Sequence, residues 1–102
     1  MEPVLLVEDK PELRAMLRKA LERSGYTVEE APDGNTAIEK VRTRRYQLVL
    51  SDLKLPGSSG LDVLRESRKV EATLPVILMT AYGSVEEAVT AMKDGEIGRA
   101  HV

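Results

Sequence analysis

Cysteine is absent from this chain, which excludes disulfides, zinc–thiolate sites and thiol nucleophiles. Tryptophan and phenylalanine are absent too, and three tyrosines are too few to build a stacking platform for bases or sugars. No apolar run approaches the length of a membrane span. Met1-Glu2-Pro3 passes at once into a four-residue apolar run, so no signal peptide is read, and a cytoplasmic location with no membrane partner is expected. Neither sign of charge dominates: the formal net charge is -2, which argues against nucleic-acid or membrane binding driven by a global field. The local cluster Arg42, Arg44 and Arg45 reads as a solvated helix end near the negative pole of the helix dipole. A dinucleotide fold is disfavoured, since no G-x-G-x-x-G follows the first strand.

What the 102 residues do contain is a regular alternation of apolar runs and helical patterns, enough for one domain. Residues 3–8 are expected to form a strand buried on both faces. Pro11 opens a helix, where its missing N–H costs nothing, and Leu13, Met16, Leu17, Ala20 and Leu21 mark its inner stripe up to Ser24-Gly25. Tyr26 to Ala31 reads as the second strand, Pro32-Asp33-Gly34 as a turn, and Ala37, Ile38 and Val41 as the inner face of a second helix. Gln47 to Asp52 is the third strand, and Leu53 to Ser59 a loop rich in Pro, Gly and Ser. A third helix follows with Leu61 and Leu64 inward, then a fourth strand from Pro75 to Thr80. Ser84 with Glu87 makes a capping box for a fourth helix, with Val85, Ala88, Val89 and Met92 inward. This order implies βαβ units, right-handed crossovers and a doubly wound α/β parallel sheet.

Glu8-Asp9, Asp52 and Thr80 each stand at the carboxyl end of an apolar run. Strand ends of an open parallel sheet converge on one crevice, where ligands bind. Singly, Glu8 and Asp9 could merely complement a helix dipole, and Asp52 could be a turn residue. Jointly they are crowded carboxylates that repel unless a cation offsets them, and Mg2+ suits a few carboxylates with several waters.

Those residues bear a resemblance. Val4-Leu5-Leu6-Val7-Glu8-Asp9, Leu50-Ser51-Asp52-Leu53 with Pro56 and Gly60, and Pro75-Val76-Ile77-Leu78-Met79-Thr80-Ala81 resemble the receiver domain of two-component response regulators. The stretch from Pro75 to Gly95 is most similar to receivers of the nitrogen-regulation type, which activate sigma-54-dependent transcription. The resemblance implies a flavodoxin-like sheet of strand order 2-1-3-4. It implies that Asp52 is the phosphoacceptor, served by a sensor histidine kinase, and that the domain is not itself an enzyme. Asp9, Asp52 and the backbone carbonyl of Lys54 would ligate Mg2+, with Glu8 reaching it through water. Thr80 would sense the phosphoryl group as a switch, while Pro56 and Gly60 shape the loop. Lys54 and Tyr82 would flank the phosphate, and His101, the single histidine, is no phosphorelay candidate.

The family continues into a fifth strand ending in an essential lysine, and into a fifth helix; neither is found here. Residues 1–95 therefore read as a truncated receiver. Residues 96–102 resemble the translation of a common sequencing-library adapter and are expected to be a non-native tail. The expected consequences are impaired phosphotransfer and an apolar fourth-strand edge prone to dimerisation or aggregation. Two rivals stay open: an inert or interaction-only fragment, and an aspartate-based phosphatase. The latter wants a second acid two residues after its nucleophile, where this chain has Lys54.

Overall fold

A computed structural model describes residues 1–79. The elements are β1 (Val4–Val7), α1 (Pro11–Arg23), β2 (Val28–Ala31), α2 (Gly34–Thr43), β3 (Leu48–Asp52), α3 (Gly60–Val70) and β4 (Val76–Met79). The four strands form one parallel sheet in the order β2-β1-β3-β4, as expected. The expected fourth helix, with its Ser84–Glu87 capping box, lies outside the described residues, as do Thr80, Tyr82 and His101.

The period-two alternation of a strand sends β1 side chains to both faces of the sheet. Val4 and Leu6 join Leu17 and Leu21 of α1 on one face, with Leu48, Leu50, Ile77 and Met79. Leu5 and Val7 join Ala37, Ile38 and Val41 of α2 and Val63 of α3 on the other. Every residue of β1 and β4 is buried, which is why their sequences run apolar without alternating.

The ends of the elements follow local chemistry. Ser24 and Gly25 close α1 with a Schellman motif, in which Gly25 N donates to Glu22 O and Tyr26 N to Leu21 O. Gly25 supplies the left-handed conformation, φ +94°. That motif takes Tyr26 out of the expected second strand, which begins at Val28. Asp33 is the N-cap of α2 rather than the middle of a turn, accepting from Thr36 N at 2.7 Å. Ser59 and Asp62 cap α3 reciprocally, an arrangement not read from the sequence because the acid is Asp instead of the usual Glu or Gln.

Two inward assignments need correction. Met16 is 59% exposed, because Arg14 and Arg18 on the opposite flank of α1 are tied to Glu30 of β2, which centres the buried stripe on Leu17 and Leu21. Leu61 is 42% exposed, while Gly60, Val63 and Ser67 form the buried line of α3. The rotation of α3 is set by Gly60, pressed against the backbone of Asp52, and this turns the next residue outward. Leu64 packs on the core as expected.

Candidate functional site

Strand register decides what meets at the carboxyl edge. Val7 of β1 lies beside Ser51 of β3, so the residues that follow each, Glu8 and Asp52, emerge side by side. Glu8 still extends the ladder, its N–H donating to Ala31 O at 3.1 Å. Asp9 follows in the short link to α1. One oxygen from each of Glu8, Asp9 and Asp52 falls within 4.8 Å of the others. Sequence reasoning placed these three at a common crevice, and the structure brings them together.

The cluster is electrostatically uneven. Glu8 is buried at 1% exposure, whereas Asp9 and Asp52 are half-buried. Burial pushes the Glu8 carboxyl up to about 7, against a hydrogen bond from the Lys10 amide (Lys10 N to Glu8 Oε2, 3.0 Å) that favours the charged form. A carboxyl–carboxylate hydrogen bond with Asp9 and the charges of Asp52 and Asp9 push the same way as burial. Burial and its acidic neighbours thus favour the protonated form of Glu8, and a cation in the cluster would favour the charged one.

The donor set fits a hard divalent ion. It consists of carboxylate oxygens alone, and bonds of about 2.1 Å in an octahedron place ligand oxygens about 3 to 4 Å apart, inside the observed span. Lys54 sits two residues beyond Asp52 and donates its amide N–H to Asp52 Oδ1 at 3.2 Å. Pro56 is exposed in the loop between β3 and α3, and Gly60 is the first residue of α3. A Cβ on Gly60 would stand 2.3 Å from Asp52 O, so only glycine admits this approach of α3 to the Asp52 backbone.

Several neighbours escaped the sequence reading. Gly57 has φ +71°, and a Cβ on Gly34 would stand 1.9 Å from Ser58 O, so the loop after Asp52 lies directly on the start of α2. Ser58 Oγ donates to Asn35 Oδ1 at 2.6 Å across that contact. Pro56-Gly57-Ser58 carried a turn signal, but nothing local announces its partner. Arg14 was also missed: its Nη1 donates to the carbonyl of Glu8 at 2.8 Å and its Nε to Glu30 at 2.8 Å.

A doubly wound α/β domain with acidic groups at the carboxyl ends of two adjacent central strands is thereby defined. The chain belongs to the response regulator receiver domain family, whose model matches residues 4–98. Members of this family take up a phosphoryl group in two-component signalling. The chain is 39% identical over 92 residues to the transcriptional regulatory protein ResD of Bacillus subtilis, covering 90% of this chain and 38% of that protein. It is 38% identical over 94 residues to the transcriptional regulatory protein ZraR of Escherichia coli O157:H7, covering 92% of this chain and 21% of that protein. Among solved structures, the response regulator protein TrrA of Thermotoga maritima, in complex with Mg(2+)-BeF, matches with TM-score 0.78 and 32% identity. That match covers 99% of this chain and 84% of that one. The receiver domain of the hybrid histidine kinase CckA matches with TM-score 0.80 and 25% identity, covering 90% of this chain and 96% of that one. The chain therefore spans well under half the length of these curated relatives. Among the described residues no helix is long and apolar enough to cross a membrane.

Proposed function

We propose that Asp52 is the phosphoacceptor, and that Glu8, Asp9, Asp52 and the backbone carbonyl of Lys54 form the Mg2+ site. The supporting observation is the three-carboxylate cluster within 4.8 Å, with Asp52 at the end of β3. When bound, the cation would neutralise charge on the transferring group. An Asp52 carboxylate oxygen attacks phosphorus, the bond from phosphorus to the donor breaks, and an acyl phosphate forms on Asp52. With a sensor histidine kinase as donor, the broken bond is the P–N bond of a phosphohistidine, and the imidazole leaves. Positioning and electrostatics carry such a transfer, so the chain acts as acceptor and not as a turnover enzyme. The Lys54 amide, already bonded to Asp52 Oδ1, fixes the carboxylate plane before attack. Pro56 and Gly60 shape the surrounding loop, and Thr80 is the residue that binds the phosphoryl oxygen as the switch.

The setting proposed is cytoplasmic, within a transcription regulator of the nitrogen-regulation type. Residues 96–102 are read as a non-native tail; resequencing the source gene past codon 95 tests this, and an unbroken natural frame through those codons refutes it. The site itself is tested with acetyl phosphate and Mg2+, read by intact mass. A phosphoryl-sized mass gain that EDTA and Asp52→Asn both abolish is expected. A gain that survives Asp52→Asn refutes the assignment.

A further inference from the structure

Arg14 stands outside the carboxylate cluster yet holds its backbone. Its guanidinium spans two groups: Nη1 donates to the carbonyl oxygen of Glu8 and Nε to Glu30 Oε1, both at 2.8 Å. The Glu8 carbonyl and the Asp9 N–H belong to one peptide plane, and a peptide unit is rigid. Fixing that carbonyl therefore fixes the plane from which the Asp9 side chain departs. Arg14 is itself held in place. Glu30, on β2, accepts from Arg14 through one oxygen and from Arg18 through the other, so the planar fork of Arg14 has one orientation. Both side chains of the Arg14–Glu30 pair are largely covered, at 20% and 30% exposure.

Among the described residues, the link from β1 to α1 has little else to order it. Lys10, the N-cap of α1, makes no side-chain capping bond, unlike Asp33 and Ser59 at the starts of α2 and α3. Pro11 contributes no N–H at all. Among the described residues, the bonds on this turn are the Glu8–Asp9 side-chain hydrogen bond, the Lys10 amide to Glu8 Oε2, Arg14 N to Lys10 O, and the Arg14 side chain to Glu8 O.

We infer that Arg14, oriented by Glu30, is a positioning residue that holds the Glu8–Asp9 peptide so that Asp9 is preorganised for the divalent cation. This rests on the metal site proposed above. It makes a prediction of sign. Removing a positive charge near three carboxylates would, by Coulomb attraction alone, tighten cation binding. Losing a positioning contact weakens it, by roughly tenfold or more when an outer partner of a metal ligand is lost.

The experiment is Mg2+ titration by calorimetry of the full chain and of Arg14→Ala, Arg14→Lys, Glu30→Gln and Asp9→Asn. Urea unfolding with and without Mg2+ accompanies it. Arg14→Ala is expected to weaken Mg2+ about tenfold. Arg14→Lys keeps the charge but cannot span both acceptors, and is expected to restore only part of the affinity. Glu30→Gln is also expected to weaken Mg2+, the same sign that loss of a negative charge gives by Coulomb attraction alone, so Arg14→Ala is the variant that separates positioning from charge. A merely structural role would lower the urea midpoint equally with and without Mg2+; the positioning role shrinks the Mg2+-induced shift itself. Unchanged or tighter binding in Arg14→Ala, with loss in Asp9→Asn, overturns the positioning role alone. Unchanged binding in both variants overturns the metal site, and the positioning role with it.

Discussion

Glu8 offers a direct test of the electrostatics, because a buried carboxyl sits beside two others. Its folded-state value of about 7 stands well above the ordinary 4.5, chiefly through burial. The native protein therefore binds this proton more tightly than the unfolded chain does. Stability from this group is fully present below pH 4.5 and is lost as pH rises through 7. Each pH unit of displacement is worth about 1.4 kcal/mol, which makes the loss about 3 kcal/mol in EDTA. Glu8→Gln keeps the shape, still accepts from the Lys10 amide and cannot ionise. In EDTA at pH 8 it is expected to be more stable than the wild type by about 3 kcal/mol, with the advantage almost gone at pH 4.5. Mg2+ should narrow the gap at pH 8 by stabilising the wild type more. The assay is urea unfolding followed by far-UV circular dichroism across that pH range, comparing the difference between the two proteins so that other titrations cancel. A difference that stays flat with pH, or a variant less stable than wild type at pH 8 in EDTA, refutes the reasoning.

Three further outcomes are expected. Gly60→Ala forces a Cβ against Asp52 O, now 2.3 Å away, and should cost about 1–3 kcal/mol in urea unfolding; an unchanged midpoint would mean α3 does not approach the Asp52 backbone so closely. Ser67 is fully buried on α3, and its Oγ has no hydrogen-bond partner among the described residues, so Ser67→Ala should be neutral or stabilising by about 1 kcal/mol, and a clear loss of stability would refute this. Gly57→Ala places a side chain at φ +71°, and thermal unfolding should show a cost of about 1 kcal/mol; full stability would count against that left-handed turn.

Much was legible along the chain because its signals are local or periodic. Unbroken apolar runs announced buried parallel strands, and Leu17 and Leu21 lay on the predicted stripe of α1. The acidic residues were readable as a site because strand ends in a parallel sheet converge whatever the loops do. The helix stop at Ser24-Gly25 was legible because glycine is the usual residue there, whereas Asp33 was read as part of a turn and the Ser59–Asp62 box was missed.

Helix rotation and loop contacts were decided in three dimensions. Leu61 and Met16 are apolar at plausible inner positions, yet Gly60 against Asp52 and the Arg14–Glu30–Arg18 cluster turned both helices the other way. Gly34 reads locally as a turn residue, whereas its real constraint is Ser58 of a loop 24 positions along the chain. Arg14 reads as one more exposed helix charge until β2 brings Glu30 beside it. Period and propensity are properties of neighbours in sequence, so the described elements, their order and the carboxylates at the strand ends could be read along the chain. Close approach depends on which distant backbone arrives, so the packing of distant segments settled how α1 and α3 turn, where glycine is required, and that burial raises the Glu8 carboxyl above its ordinary range.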